Sequence, residues 1–281
     1  MTETHAARRL WHLVEPIHAI TYFAPRSASA MTELGLKGFW MGYFSSRSAP
    51  MGPASAAVVE ATFANFAPRL VHRAIPDAWS IVTPEDVLDA RAAAAAAVLR
   101  DALPGIDVDA PRITPLLGAA VRAGRPDGRP IFAGNQTLPL PEDPVAALWQ
   151  CCTSLREHRG DGHVAALVAE GLTGLEAHLL AGMPLALLEV ARGWTADEVA
   201  AATTGLVDRG LLDPEGGLTG DGQALKDGIE RRTDQAALQP WRDGLTEAGF
   251  DLVPSLLRPI RDAVLATGLL PFPNPIGLPA R

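Results

Sequence analysis

Between Gly193 and Gly222 the chain reads GWTADEVAAATTGLVDRGLLDPEGGLTGDG, and no other stretch limits the fold so tightly. Thr195 stands where a helix N-cap is needed and Glu198 follows at the third helical position, the pair that satisfies two orphan backbone N–H groups reciprocally. Val199, Ala202, Leu206 and Val207 then recur at helical spacing and define one apolar stripe. Gly210 stops that helix, because a left-handed C-terminal residue is easiest for glycine. Leu211-Leu212 and Leu218-Thr219 flank the turn residues Pro214 to Gly217, which predicts two short strands. Gly220 opens another helix that runs to about Thr233. Upstream, Val164 to Glu170 is helical, Thr173 or Gly174 opens a second helix, and Leu185 to Arg192 forms a third.

Three helices, a strand–turn–strand and a helix make a winged helix-turn-helix unit, expected over about His163 to Asp234. Leu206, Val207, Arg209, Gly210, Leu211 and Leu212, followed by Leu218, Thr219 and Gly222, resemble the recognition helix and wing of the MarR-like winged-helix regulators. Over its whole length the chain also resembles a family of actinobacterial helix-turn-helix proteins. GLKGFWMGYFSSRSAP (35–50), IPDAW (75–79) and REHRGDGHVAAL (156–167) carry that likeness. The resemblance implies a fold and no particular activity.

The rest of the chain is expected to be mainly α, in two helical lobes with small β-wing hairpins. Residues 1–103 form the N-terminal lobe, 104–144 a Pro/Gly-rich linker or crossing, and 145–281 the lobe that carries the winged helix. In the first lobe, Leu10, Leu13, Val14 and Ile17 mark a helix ending near Pro16, and a second begins at Pro25 or Ser27. Thr83 caps a helix with Asp86 at its third position and the helix runs to Leu103. Ser55–Arg73, Trp79–Thr83 and Glu85–Arg100 echo the helix, strand, helix order of the C-terminal unit, so the first lobe is a second candidate for a winged-helix-like fold. The segment GRPDGRP and the ending LPLPEDP mark the linker.

Composition narrows the function. No run approaches the ~20 apolar residues of a membrane helix, and the N-terminus lacks a signal peptide's apolar core, so a cytoplasmic, non-membrane protein is expected. Cys151 and Cys152 are the only cysteines and are adjacent, which excludes a disulfide framework and any all-thiolate metal site. The formal net charge is −8, which opposes binding to phosphates. The recognition-type helix carries Thr195, Asp197, Glu198, Thr203, Thr204 and Asp208, with Arg209 its lone cation, and the wing tip carries Asp213 and Glu215. Base edges are read by Arg, Lys, Asn and Gln, so DNA is the weaker expectation as a partner.

Two polar clusters remain. Arg156-Glu157-His158-Arg159-Gly160-Asp161-Gly162-His163 is the densest. Its two glycines predict a break or turn, which would let His158, Asp161 and His163 converge on a divalent metal or serve as an acid–base pair. The alternative is a helix end whose charges bond neighbouring backbone. The second cluster holds His18, Tyr22, Trp40, Tyr43, Ser45, Ser46 and Arg47. Aromatics with one arginine suit a flat, partly anionic ligand with Arg47 as charge partner, and a haem with His18 as axial ligand is a special case. No phosphate loop, dinucleotide fingerprint or nucleophile elbow is present.

The leading expectation is therefore a small-molecule-binding protein on a repurposed winged-helix scaffold. Its ligand-binding set is His18, Tyr22, Trp40, Tyr43, Arg47, His158, Arg159, Asp161 and His163, and a second copy of the chain is an admissible partner. A ligand-responsive MarR-like regulator, and a metal- or haem-dependent enzyme using His158, Asp161 and His163 or His18, remain open beside it.

Overall fold

A computed structural model describes residues 3–279. Fourteen α-helices and two 3-10 turns account for the regular structure among them. The first helix, α1 (Glu3–Phe23), runs through Pro16 instead of stopping there. α2 (Pro25–Glu33), α3 (Gly38–Ser48), α4 (Ala56–Thr62) and α5 (Pro68–His72) follow. α6 (Pro84–Ala102) starts at Thr83, whose hydroxyl accepts from the Asp86 N–H, as the sequence predicts.

The axis of the molecule is α9 (Pro144–Ala169), capped by the Asp143 carboxylate. It touches α1, α6, α7 (Ile106–Ala123), α8 (Pro130–Thr137) and α13 (Gly220–Gly244). A helix surrounded in this way is buried on every side, and Val145 to Leu155 is continuously buried. α14 (Glu247–Ala266) packs against α1 and α7. One large core joins α1, α6, α7, α9, α13 and α14, and a second gathers residues of α2–α6 around Phe44, Phe63 and Phe66.

Three expectations are corrected. Residues 104–144 are not a bare linker: they contain α7 and α8. Pro111 and Pro115 lie inside α7. Each removes one backbone hydrogen bond, but Ile106, Ala110, Ile113, Leu117, Ala120 and Val121 are buried along one stripe, and their packing on α9 and α13 outweighs the loss. The first lobe has no strand at Trp79–Thr83; Asp77–Ser80 is a 3-10 turn. The winged-helix echo in that lobe therefore loses its central element.

The wing is the third correction. No strand occurs among the described residues, and the hairpin reduces to one antiparallel bridge between Leu212 and Leu218. Leu211 and Leu212 are buried in the small core beneath α12 (Ala196–Asp208). The Asp213 carboxylate accepts from the N–H groups of Glu215 and Gly217, at 3.0 and 2.7 Å. The side chain closes the turn, so no ladder extends into it.

The helix-turn-helix itself forms as expected. α10 (Gly174–Leu180) and α12 both begin with a complete capping box, Thr173 with Glu176 and Thr195 with Glu198. Between them α11 (Leu185–Arg192) ends at Gly193, whose φ of +78° is left-handed. This unit rests on the loop that joins α4 to α5. The Ala67 N–H donates to the Arg192 carbonyl at 2.9 Å, and the Trp194 indole donates to the Asn65 carbonyl at 3.3 Å. Gly174 sits so close that a β-carbon would lie 2.3 Å from the Ala64 carbonyl oxygen.

Candidate ligand-binding site

α1, α2, α3 and α6 enclose a cleft of about 160 Å³ whose walls include Tyr22, Ser27, Met31, Gly42, Tyr43 and Arg91. Gly42 is required where α3 crosses α2, because a β-carbon there would meet the Met31 β-carbon at 2.9 Å. Tyr22 and Tyr43 face each other with ring centroids 5.2 Å apart. Phe39, exposed on α3, joins them at the rim.

Behind the tyrosines lies a buried polar network. Burial and the nearby Arg156 keep His18 neutral, its pKa well below the usual histidine value. Burial also raises the Tyr22 phenol, which stays protonated. Both ring nitrogens of His18 are engaged, Nε2 with the Tyr22 hydroxyl at 2.6 Å and Nδ1 with the Thr153 hydroxyl at 3.0 Å. Arg47 donates to the Tyr43 hydroxyl at 3.1 Å and grips both oxygens of Glu157. Arg156 bonds Glu157 at 2.8 Å and Glu15 at 3.3 Å. Burial alone would raise the Glu157 carboxyl, but Arg47 and Arg156 outweigh it and hold the pKa down to about 2.

Arg91 differs from its neighbours. Its residue is 4% exposed, yet no carboxylate touches it. Its contacts are neutral: the Ser46 carbonyl at 2.7 Å, and Asn135 Oδ1 and Gln150 Oε1 at 3.1 Å each. The guanidinium also lies 5.5 Å from the Trp149 ring centroid. Burial lowers its pKa to about 10, with Glu157 opposing, so it is charged at neutral pH. Nε is buried and has no hydrogen-bond partner.

The expected site residues divide. Tyr22 and Tyr43 line the cleft, with His18 behind Tyr22 and Arg47 behind Tyr43. Arg47 is consumed by Glu157, so it is not the free charge partner expected of it. Trp40 points instead into the second aromatic core, stacked on Phe44 with centroids 5.9 Å apart. Both ring nitrogens of His18 are already engaged inside the core, and this donor set does not fit an axial haem ligand.

The segment from Arg156 to His163 neither breaks nor turns; α9 continues through it. Each mid-helix glycine costs about 1 kcal/mol relative to alanine, and packing on all sides of α9 overrides that. A straight helix engages each candidate ligand in packing, two against Phe132 and one against α13, and does not converge them on one point. His158 meets the Phe132 ring edge-on at 4.7 Å, and its pKa is pushed down to about 3 by burial and Arg129. Asp161 accepts from the Phe132 N–H at 2.9 Å, at the start of α8. His163 meets Thr233 at 3.1 Å on α13. Arg159 is spent on Asp234 and Glu230. Among the described residues no group of three or more His, Cys, Asp or Glu side chains is placed to hold a metal ion.

Arg91, Glu15 and Gln150 are the members that sequence reading missed. The signal for Arg91 was present: Val87, Arg91, Ala94, Ala95 and Val98 form the buried stripe of α6, so a cation stands where an apolar residue is expected.

The helix-turn-helix surface is exposed but chemically plain. Ala196, Asp197, Ala200, Ala201, Thr204 and Asp208 are the solvent-facing positions of α12. Arg209 pairs with Glu176 at 3.3 Å. Leu185 and Val190 of α11 are also exposed.

Fold and site together define a mainly helical protein that carries a helix-turn-helix and a small cleft. A family model described as a helix-turn-helix family matches residues 7–271, and the chain belongs to that family. No curated protein and no solved structure matches the chain. Among the described residues no helix is long and apolar enough to cross a membrane.

Proposed function

We propose that the protein binds a small molecule in the cleft between α1, α2, α3 and α6, on a repurposed helix-turn-helix scaffold. One observation carries the reading: the cleft runs to a buried, charged Arg91 that no acid neutralises. Ligand sites are concave and mostly apolar, with a few convergent polar groups, and aromatic walls with one cation meet that description. The volume is close to the ~150 Å³ of a cavity that admits benzene, so the guest is small.

The test is native mass spectrometry of the freshly purified chain, followed by thermal unfolding against a panel of small molecules. Binding of one compound raises the melting temperature, and the rise grows with the logarithm of its free concentration above Kd. Ala28, an exposed residue at the rim, supplies the control. Ala28→Trp plugs the cleft without disturbing the core, and should abolish the rise. A rise that persists in this variant moves the site elsewhere.

A second reading, a ligand-responsive regulator related to the MarR-like proteins, is favoured by family membership and by the capped α10–α12 unit. The chemistry of α12 argues against it, since its exposed face offers carboxylates and methyl groups where base readers carry amides and guanidinium groups. The same small-residue face suits packing against another protein surface, including a second copy of the chain.

A further inference from the structure

We propose that the ligand is a small monocarboxylate of about one ring in size, and that Arg91 receives its carboxylate. This rests on the cleft being the binding site and adds the chemical class of the occupant.

Charge balance is the first argument. Arg47, Arg91, Arg156 and Arg192 are buried or nearly so, and Arg47 lies within electrostatic reach of the other three. Glu15 and Glu157 are the carboxylates bonded within this group, and both are taken up by Arg47 and Arg156. Arg192 finds a carbonyl at Pro275, His178 and the face of Phe66. Four cations facing two anions leave a surplus of positive charge in the core. A buried charge without a counter-ion is strongly disfavoured, and an anion brought by a ligand removes that penalty at Arg91.

Donor accounting is the second. A guanidinium has five N–H donors. Ser46, Asn135 and Gln150 take three of those on Arg91, and the Nε–H is among those left unmatched. With both Nη2 donors engaged, a carboxylate would meet Arg91 through the remaining Nη1–H, in a charge-assisted bond roughly twice as strong as one to a neutral acceptor. The neutral cradle of Asn135 and Gln150 fixes the guanidinium without cancelling its charge.

Shape is the third. Tyr22, Tyr43 and Phe39 give the cleft flat walls, and the volume excludes a nucleotide or a haem. Aromatic and branched short-chain acids combine the required flatness or bulk with one negative charge.

Isothermal titration calorimetry of the full chain at neutral pH with benzoate, its neutral isostere benzamide, and acids graded from acetate to indole-3-acetate tests the class. At least one ring-sized acid should bind, and its neutral amide should bind more weakly by about tenfold or more. Arg91→Met should erase that preference. If this variant fails to fold, the acid–amide comparison in the wild type still decides the question. Equal binding of acid and amide overturns the carboxylate inference while leaving the cleft as a site for neutral guests. Acid binding that survives Ala28→Trp places the anion elsewhere and overturns it as well. Absence of binding by every acid in the series overturns it too, and the native mass spectrum then decides separately whether the cleft holds any small molecule.

Discussion

Arg47 of α3 and Glu157 of α9 are 110 positions apart in sequence and meet through contacts of 2.9, 3.0 and 3.1 Å, with the arginine side chain only 10% and the glutamate only 3% exposed. The pair fastens the cleft-bearing lobe to the central helix. Removing one member leaves the other charged and buried. Glu157→Gln should therefore destabilise the chain by about 3–5 kcal/mol, the range for breaking a buried pair, as read from urea unfolding at neutral pH. A change below 1 kcal/mol would show that solvent reaches Arg47 in the folded state.

Glu157 also sets an acid limit. Its folded pKa of about 2 lies below the value of 4.5 for an unperturbed glutamate. The unfolded chain then binds the proton first as pH falls, so stability drops between about pH 4.5 and 2 and is fully present above that window. The shift corresponds to about 3 kcal/mol. Stability measured from pH 6 down to pH 2 should fall more steeply in the wild type than in Glu157→Gln; equal slopes would contradict the assignment.

Asp161 works in the opposite sense. Burial pushes its pKa up to about 7, against the opposing hydrogen bond from the Phe132 N–H. The folded chain binds this proton more tightly than the unfolded chain, so the stability it contributes is fully present below about pH 4 and is lost as pH rises to 7. Asp161→Asn keeps an acceptor for Phe132 and removes the charge. Relative to wild type the variant should gain stability between pH 4 and pH 8, by roughly 4 kcal/mol at most. Melting curves at those two pH values settle it, and a difference that does not change with pH would mean that Asp161 is ionised without penalty.

Elements with strong local signals were legible in the sequence. Thr83, Thr173 and Thr195 each start a helix where capping chemistry places it, and Gly193 and Gly210 end helices with left-handed backbone. What sequence alone obscured depended on tertiary packing. The glycines at 160 and 162 imply a turn only when considered without the helices that surround α9. The prolines at 111 and 115 imply a linker only until the buried stripe from Ile106 to Val121 is weighed against them. In the site, the aromatic pair Tyr22 and Tyr43 could be picked out by residue type. Arg47 was misread because its partner lies 110 residues away, and Arg91 was overlooked inside an alanine run although it interrupts a buried stripe.

Gly174 reports on how the helix-turn-helix is held. Its α-carbon passes against backbone, with the Ala64 oxygen and the Asn65 α-carbon 2.3 and 2.5 Å from where a β-carbon would stand. Backbone cannot yield as a flexible side chain does, so Gly174→Ala should cost about 1–3 kcal/mol through overpacking. The loss should be local. Amide exchange should quicken at Ala67, whose N–H donates to the Arg192 carbonyl across the same junction, while α7 keeps its protection. Unchanged exchange at Ala67 would mean that the unit docks independently of this contact.

The exposed face of α12 leads to the last prediction. Six or more phosphate contacts give specific DNA complexes a steep salt dependence, and such contacts need cations beside the recognition helix. Here Asp197 and Asp208 flank a run of alanines, Arg209 is tied to Glu176, and the Asp213 carboxylate folds into its own turn. Full-length protein mixed with duplex DNA at low salt should give no retarded band beyond a weak, sequence-independent one. Arg209→Ala should leave that result unchanged, because the side chain serves an intramolecular pair. A discrete band whose affinity falls steeply with salt, and which disappears with Arg209→Ala, would show that the family's fold is being used here to read DNA, and the plain surface of α12 would then have to be explained by shape readout of the duplex instead of by base contacts.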